Sequence, residues 1–388
     1  MMEENGLPKG WVETTLGEVM SIYSGKTRPE ISGIYPVYGG NGILYYGDNY
    51  NQENETIIIG RVGAYCGNVF IENEKFWLSD NALGVKNNSN SEIMFLYYKL
   101  KHMKLNNFAI GAAQPLLTQT LLKELKITIP KSTNEQKAIA SILTSFDDKI
   151  ELLQAQNETL ENIAQTIFKE WFDKYQVGDE LPEGWRVDKL ENISLEITRG
   201  FTTKYVDKSN LINLNQKVNK GSYLDKQHFK YYDDKTIVPE NKFIKKYDIL
   251  LNSLGEGTLG RVHLYCEETD NVVADQHISI LRFDKKLAFY VYHVLTSKDG
   301  QFRLLNEISG STGMTMLNIS KVRQFEIIVP NDIILGEFKM IITALYEKLE
   351  INNSQIQTLQ ATRDTLLPKL MSGQLRVTEF QEQLCEVM

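Results

Sequence analysis

The sequence has few of the residues that build disulfide scaffolds, metal clusters or membrane spans. Its three cysteines, Cys66, Cys266 and Cys385, have no Cys-x-x-Cys spacing, which excludes a zinc cluster of that kind and argues against a disulfide framework. The five histidines are scattered without metal-binding spacing. No apolar run approaches the roughly 18–20 residues of a membrane span, and the acidic first residues lack an apolar signal region. These absences predict a cytoplasmic protein without a metal of its own.

Catalytic motifs are also missing. Ser24-Gly25-Lys26-Thr27 is similar to the end of a phosphate-binding loop, but Met20 stands where the first glycine of that motif is required. None of the nine prolines is adjacent to another, so the Pro-Pro-Tyr motifs of amino-methyltransferases are absent. There is no Phe-x-Gly-x-Gly loop for S-adenosylmethionine and no Pro-Asp…(Asp/Glu)-x-Lys nuclease triad. The chain is therefore predicted to be non-catalytic and to bind no cofactor.

What the sequence does contain is a duplicated plan. Leu-Pro-Lys-Gly-Trp at residues 7–11 returns as Leu-Pro-Glu-Gly-Trp at residues 181–185. Each copy is followed by a globular region that closes with a short apolar strand ending in proline, at residues 127–130 and 327–330. A heptad pattern of apolar residues begins after each of these strands. Each half is therefore one globular domain followed by one long helix.

The predicted fold is α/β, with an internal pseudo-twofold repeat and two strand-rich globular domains separated by two long antiparallel coiled-coil helices. The predicted boundaries are a first globular domain at 1–134, a central helix at 135–177, a second globular domain at 178–331, and a C-terminal helix with its tail at 332–388. Net charge is −8, and seven of the eight excess negative charges fall in the two helical regions. The near-neutral domains leave room for a local patch that contacts phosphates.

Both helices carry a coiled-coil seam, and a shift of 199 residues superposes one seam on the other. Thr133 or Asn134 is expected to cap the first helix. Arg363, at a seam position of the second helix, suggests an acidic partner nearby. One interpretation packs the two helices on each other within the chain; the alternative packs each helix on its own domain or on a second chain. The predicted seam consists of Leu143, Phe146, Ile150, Leu153, Asn157, Leu160, Ile167, Leu345, Leu349, Asn352, Ile356, Leu359 and Leu366.

The strands of one domain can be matched with those of the other. Strands are expected at 56–59, 68–71 and 83–85 in the first domain and at 248–251, 262–265 and 277–282 in the second, each domain also having one helix (91–103; 287–304). By residue identity, Gly60-Arg61-Val62 matches Gly260-Arg261-Val262. The spacing along the chain instead matches residues 60–63 with 252–255, and we prefer this match because it preserves the order of the strands. Residues 79–82 are paired with 274–277.

Polar side chains on corresponding loops of both domains are the candidates for contacting DNA. Reading a sequence requires some side chains that contact phosphates and others that contact base edges. Any single candidate is more often an ordinary solvated loop residue, but the loops of both repeats are rich in such residues. The candidates are Lys26, Thr27, Arg28, Tyr38, Asn41, Arg61, Asn81 and Gln114 in the first domain, and Arg199, Thr202, Thr203, Lys204, Tyr205, Asn252, Ser253, Gln276, His277 and Thr312 in the second.

Several strings together resemble the specificity (S) subunits of type I restriction–modification systems. They are Tyr-Pro-Val-Tyr-Gly-Gly-Asn-Gly at 35–42, Ser-Asp-Asn at 79–81, Glu-Gln-Lys-Ala-Ile-Ala at 135–140, Phe-Asp-Asp-Lys-Ile at 146–150, and Leu-Leu-Pro-Lys-Leu-Met-Ser-Gly at 366–373. The resemblance covers essentially the whole chain. One departure is that the second helix lacks the Glu-Gln start of the first.

The resemblance implies a function that composition alone does not reveal. Each globular domain would be a target recognition domain that reads one half of a split, asymmetric site in double-stranded DNA. The helices would set the spacing between the halves and dock two modification (M) subunits, which carry S-adenosylmethionine and methylate adenine. Restriction (R) subunits would add ATP- and Mg²⁺-dependent translocation and cleavage. No membrane partner is expected, because no apolar run is long enough to span a bilayer.

Two other classes of function stand beside this one. A stand-alone methyltransferase or nuclease would need the motifs that are absent, and tight binding of S-adenosylmethionine by the isolated chain would favour it. A structural adaptor with two protein-binding ends would show no sequence preference for DNA even when assembled with an M subunit.

Overall fold

The computed structural model describes residues 7–111, 114–255, 257–309 and 315–377. The chain forms two compact units. Unit 1 comprises residues 1–152 together with 355–388, and unit 2 comprises residues 153–354. Each of the two long helices is divided between the units, so the C-terminal part of the chain completes the unit that the N-terminal part begins.

Unit 1 is built mainly from short strands. Its helices are α1 (Leu16–Val19), α2 (Ile93–Met103), α3 (Gln119–Glu124), the first part of α4 (Thr133–Phe172) and the last part of α9 (Asp332–Met371). Its strands are β1 (Trp11–Thr15), β2 (Met20–Ser24), β3 (Ile31–Gly39), β4 (Gly42–Gly47), β5 (Thr56–Gly60), β6 (Val69–Glu72), β7 (Trp77–Leu78), β8 (Ala82–Asn87) and β9 (Lys126–Pro130).

A four-stranded antiparallel sheet of order β2-β8-β5-β6 forms the centre of unit 1, with a β4-β3-β7 sheet and a β1-β9 pair beside it. All five residues of β5 are buried, as expected for a central strand. Leu370 and Met371, from the end of the second long helix, are fully buried in the same core as Trp11. The buried Lys99 ammonium donates hydrogen bonds to the carbonyl oxygens of Thr128 and Met371, at 2.8 and 2.9 Å.

Unit 2 repeats this architecture. Its helices are the second part of α4, α5 (Leu190–Ile193), α6 (Lys285–Thr296), α7 (Lys298–Asn306), α8 (Ile319–Arg323) and the first part of α9 (Asp332–Met371). Its strands are β10 (Arg186–Lys189), β11 (Glu196–Arg199), β12 (Tyr205–Val206), β13 (Leu211–Leu214), β14 (Lys230–Tyr232), β15 (Ile249–Asn252), β16 (Val262–Leu264), β17 (Val272–Ala274), β18 (Ile278–Arg282), β19 (Ile308–Ser309), β20 (Met316–Leu317) and β21 (Glu326–Val329).

The sheet order β11-β18-β15-β16 in unit 2 is the same as β2-β8-β5-β6 in unit 1. The parallel pair β13–β17 corresponds to β3–β7, and the pair β10–β21 to β1–β9. The predicted strands of both domains are present, with ends that differ by one or two residues. The single helix predicted at 287–304 is wrong, because Ser297 ends α6 and caps α7 by accepting a hydrogen bond from the Gly300 N–H at 3.0 Å.

Helix α4 begins at Thr133, two residues before the predicted boundary at 135, whereas α9 begins at Asp332, as predicted. Ser132, and not Thr133 or Asn134, caps α4, its hydroxyl accepting from the Glu135 N–H at 3.4 Å. The buried Gln136 side chain then ties the helix start to the carbonyl oxygen of Pro130 and to the N–H of Glu92. In α9 the missing Glu-Gln is replaced by a different cap, since the Asn331 carboxamide accepts from the Ile334 N–H at 3.0 Å.

Within each unit the two long helices run antiparallel and contact each other. In unit 2, Asn352 donates to Asn157 at 2.9 Å, and Asn157 donates to Asn353 at 2.8 Å. In unit 1, the predicted acidic partner of Arg363 is Asp147, at 2.5 Å. In each unit the helical segments also pack on the core of that unit, so helix–helix packing and helix–domain packing occur together. Every seam residue predicted from the sequence is buried or half-buried.

No helix in the described part of the chain, including the 40-residue helices α4 and α9, has an apolar stretch able to cross a membrane.

Candidate nucleic-acid interface

In unit 1, the end of β5 forms a hub for the loops that carry the candidate residues. The N–H of Arg61 donates to the carbonyl oxygen of Asn81 at 3.0 Å, and the Arg61 carbonyl accepts from the N–H of Leu117 at 2.9 Å. The loop after β2 joins the same edge, because the Lys26 N–H donates to the Leu78 carbonyl at 3.0 Å. A side chain at Gly60 would lie 2.6 Å from the Gly40 carbonyl, so this glycine lets the β3–β4 turn approach. Four loops therefore meet at one edge of the central sheet; we call this the unit 1 loop edge.

The side chains of the unit 1 loop edge differ in exposure. Arg61 and Asn81 are half-buried. Tyr38 is buried, its hydroxyl donates to Glu72 at 2.8 Å, and desolvation raises the pKa of the phenol far above its usual value. Tyr38 therefore packs beneath the β3–β4 turn as part of the core, and its side chain is not accessible to a ligand. The exposed candidates of this edge are Lys26, Thr27, Arg28, Asn41 and Gln114.

Unit 2 has the same hub at the end of β15. The N–H of Ser253 donates to the carbonyl oxygen of His277 at 2.8 Å, and the Ser253 carbonyl accepts from the N–H of Leu317 at 3.0 Å. The N–H of Gly200 donates to the carbonyl oxygen of Ile278 at 2.9 Å, and the N–H of Phe201 donates to that of Ala274 at 2.7 Å. The loop after β11, the β17–β18 turn and the segment before α8 therefore converge as they do in unit 1; we call this the unit 2 loop edge.

Most unit 2 candidates lie at this edge. The Arg199 guanidinium donates to the carbonyl oxygens of Gln276 and Leu317, at 3.2 and 2.8 Å, and so ties two of the loops together. Desolvation lowers the pKa of Arg199, but it stays charged at neutral pH. The Thr202 hydroxyl accepts from the Gln276 N–H at 3.3 Å. Among the candidates, Thr202, Lys204, Tyr205 and Gln276 are exposed, and Thr203 and His277 are half-buried.

Besides Tyr38, two predicted contact residues of unit 2 do not have available side chains, so the prediction that these three side chains contact DNA is wrong. Asn252 is fully buried; its amide donates to the Gln216 carbonyl at 3.0 Å, and its oxygen accepts from Asn219 at 3.0 Å. Ser253 is also fully buried, with its hydroxyl 2.7 Å from that of Ser279. The prediction that these side chains contact DNA is wrong, because they fill the hub beneath the loops. Thr312 lies outside the described residues.

The hydrogen bonds decide how the two edges correspond. Gly60 pairs with Ala82 in β8, as Asn252 pairs with Ile278 in β18, which confirms the match of residues 60–63 with 252–255 and excludes the match by residue identity. The predicted pairing of 79–82 with 274–277 is wrong by one residue. Since the N–H of Ala82 bonds to Ser79 as that of Ile278 bonds to Asp275, residues 79–82 correspond to 275–278.

The corrected correspondence places unlike side chains on one shared backbone. Asp80 corresponds to Gln276, and Asn81 to His277. Asp275 was not among the candidates, yet its carboxylate lies 3.0 Å from the His277 ring. The Asp-x-His spacing in a turn between two strands is the sequence signal that could have indicated it. In the part of the chain that the structure describes, no group of three or more His, Cys, Asp or Glu side chains is arranged to hold a metal ion.

Comparisons with known proteins agree on one family. The family model described as type I restriction modification DNA specificity domain matches residues 8–162. The MjaIX specificity subunit of a type I restriction enzyme from Methanocaldococcus jannaschii is 30% identical over 325 residues, which cover 75% of this chain and 70% of that protein. The HindI specificity subunit of a type I restriction enzyme from Haemophilus influenzae is 25% identical over 329 residues, covering 67% of this chain and 71% of that protein.

A solved structure agrees in fold. The S subunit of a type I restriction–modification system from M. genitalium aligns with a TM-score of 0.63 at 19% identity, over 95% of this chain and 98% of that one. The mixed fold, the duplicated loop edges and the similarity to specificity subunits along most of the chain lead to one conclusion. This protein belongs to the specificity subunits of type I restriction–modification systems, and it is a non-catalytic, DNA-specificity component of such a system.

Proposed function

We propose that each loop edge reads one half of a bipartite, asymmetric site in double-stranded DNA. The observation that carries this proposal is the shared backbone framework with unlike side chains: Ser-Asp-Asn at residues 79–81 and Asp-Gln-His at residues 275–277 occupy the same turn. Base readout depends on which donors and acceptors a loop presents, so unlike side chains on a common scaffold select unlike sequences. The two half-sites are therefore expected to differ.

The exposed lysines and arginines of the loop edges would contact phosphates. Lys26, Arg28 and Lys204 are exposed beside the polar side chains of the same edges. Phosphate contacts fix the position of a protein on the duplex, whereas base contacts supply the sequence preference. Because both domains are near neutral overall, these few cations would concentrate the attraction at the loop edges.

The helices would set the number of base pairs between the half-sites and dock two M subunits. Each helix has 40 residues, or about 60 Å at 1.5 Å per residue. Their excess negative charge suits a protein surface better than a phosphate backbone. S-adenosylmethionine would be bound by the M subunits, and ATP with Mg²⁺ by R subunits, leaving this chain without a cofactor.

Co-expression with the cognate M subunit, followed by mapping of methylated adenines in the host DNA, tests this function. A bipartite motif with two unlike halves is the expected result. Methylation with no sequence preference would instead favour a structural adaptor. Tight binding of S-adenosylmethionine by the chain alone would contradict the assignment of the cofactor to the partner.

The spacing role of the helices has its own test. Seven residues inserted into α4 after Leu152, with seven inserted into α9 after Ser354, keep the heptad register and add about 10 Å. At 3.4 Å per base pair, the gap in the methylated motif should lengthen by about three base pairs while both halves stay the same. The matched control is a seven-residue insertion after Gly178, outside both helices, which should leave the gap unchanged. Altered half-sites in the helix variant would contradict the division of roles.

A further inference from the structure

The β17–β18 turn of unit 2 holds a histidine in a fixed orientation. The Asp275 carboxylate contacts His277 twice, accepting from its main-chain N–H at 2.8 Å and lying 3.0 Å from ring Nδ1. Asp275 is 2% exposed, whereas 37% of the His277 side chain is exposed. The buried carboxylate therefore stands behind a ring whose outer side faces solvent.

This contact decides what the outer side of the ring can offer. A carboxylate only accepts hydrogen bonds, so Nδ1 must carry a proton to bond with Asp275. In the neutral ring the proton stays on Nδ1, and Nε2 is then an acceptor. In the protonated ring Nε2 is a donor, and the positive charge lies beside the Asp275 carboxylate. A hydrogen-bond acceptor brought to Nε2 therefore selects the protonated ring, whose positive charge the Asp275 carboxylate compensates.

The surroundings of the turn hold this arrangement in place. The Asp275 N–H donates to the Leu214 carbonyl at 2.9 Å, and Arg199 of β11 donates to the Gln276 carbonyl at 3.2 Å. Among the described residues, the titratable or charged groups facing the pair from neighbouring elements are the phenols of Tyr205 on β12 and Tyr232 on β14, and the Arg199 guanidinium. Both phenols are uncharged at neutral pH, since their pKa values are raised, chiefly by burial.

The equivalent turn of unit 1 has no aspartate–histidine pair. The residues at the equivalent positions are Ser79 and Asn81, neither of which titrates near neutral pH. Ser79 is fully buried, and its hydroxyl has no hydrogen-bond partner in the described structure. Any proton-linked contact made by this turn is therefore confined to unit 2.

We propose that His277 binds the second half-site as an imidazolium, donating from Nε2 to a hydrogen-bond acceptor of the DNA, and that Asp275 is the positioning residue that fixes the ring. The acceptor is either the O6/N7 edge of a guanine or a phosphate oxygen, which present the same chemistry to a cationic donor. Binding of the second half-site then takes up one proton. This inference rests on the proposed function and assigns a DNA contact to Nε2 of His277 at the unit 2 loop edge.

The test measures the affinity of the assembled complex with the M subunit for its mapped site, at fixed salt, between pH 6 and pH 8. Uptake of one proton raises Kd with pH, by up to about tenfold per unit. His277→Asn installs the residue of unit 1 and should abolish this slope. Asp275→Ser should weaken binding while leaving a residual slope, because the ring is retained but no longer held. Asn81→Ala is the matched control: it should weaken binding without changing the slope.

Two further measurements identify the acceptor and distinguish the possible failures. Each guanine of the second half-site is replaced by 7-deazaguanine, which removes N7, and separately by 2-aminopurine, which removes O6. One of these replacements should remove the slope at one position if a guanine edge is the acceptor; a slope that persists at every position with both analogues assigns a phosphate. Sequence-specific binding whose pH dependence is the same in the wild type and His277→Asn would overturn this inference alone. Binding that tightens as pH rises would also overturn it. Loss of all sequence preference in the wild type would overturn the proposed function as well.

Discussion

A buried ion pair in unit 2 gives a prediction whose size follows from the structure. Arg282, at the end of β18, donates from Nε and Nη2 to the two oxygens of Asp248, at 2.8 and 2.7 Å. Asp248 is 1% exposed, and 14% of the Arg282 side chain is exposed. Removing one partner of such a pair leaves an uncompensated buried charge, at a cost of about 3–5 kcal/mol. Arg282→Met should therefore lower the free energy of unfolding of unit 2 by that amount.

The assay is amide hydrogen exchange of the full chain, read separately for peptides of β15 and β18 and for peptides of β5 and β8. If these strands exchange through global opening of unit 2, a loss of 3–5 kcal/mol speeds their exchange by about two to four orders of magnitude. The equivalent strands of unit 1 should be unaffected and serve as the internal reference. The matched control is Asp248→Asn combined with Arg282→Met, which removes both charges and should cost about 1–2 kcal/mol.

The penalty should also depend on pH. Burial raises the pKa of Asp248 and the Arg282 contact lowers it, so removing Arg282 raises this pKa further. A carboxyl whose pKa is higher folded than unfolded favours folding in its protonated form, and this advantage is lost as pH rises through the folded pKa. The destabilisation should thus be largest at neutral pH and shrink as the solution is acidified towards the folded pKa. An unchanged penalty across that range, or a double variant as unstable as the single one, would refute the reasoning.

Two predictions concern the loop edge of unit 2. Lys204→Ala should weaken DNA binding and reduce the salt slope of log K by about one if Lys204 contacts a phosphate; a loss confined to one base position would instead identify a base contact, and unchanged affinity would remove it from the site. In Gly200→Ala, the added Cβ would lie 2.1 Å from the Asp275 carbonyl oxygen, so the turn must move. Recognition of the second half-site should then fail, while recognition of the first half-site is retained. The measurement is methylation of DNA sites in which one half or the other is scrambled. Equal loss of recognition at both halves would show general unfolding of the chain.

The sequence predicted those features that periodicity and spacing control. Alternating and continuous apolar runs gave the central strands, and the heptads gave α4 and α9, because burial of one face requires these patterns. The equivalence of residues 60–63 and 252–255 followed from the order of the strands. Hydrogen-bonded register keeps the spacing between strands, whereas residue identities at equivalent positions can differ. Helix ends were less accurate, because several adjacent polar residues can cap and only one adopts the required backbone conformation.

Features that depend on tertiary burial were not accessible in the same way. Asn252 and Ser253 have the composition of loop residues, but they follow a fully buried strand and their polar groups are satisfied inside the protein. The pairing of residues 79–82 was wrong by one, because the two turns differ in sequence and only their hydrogen bonds show the common frame. The Asp-x-His spacing could have indicated Asp275 as a candidate, but its contact with His277 is established only by the distance between them.

The division of the long helices has a consequence for how the protein is made. Unit 2 is one continuous stretch of chain, whereas the core of unit 1 includes Leu370 and Met371, which are synthesised after the whole of unit 2. Domains generally fold as they emerge from the ribosome, N-terminal ones first. In this protein that order is reversed, because the core of unit 1 cannot be completed until residues of α9 have been synthesised. A polypeptide released before α9 is complete therefore has an incomplete unit 1 core. Only chains translated through α9 are expected to fold both units and to recognise both half-sites.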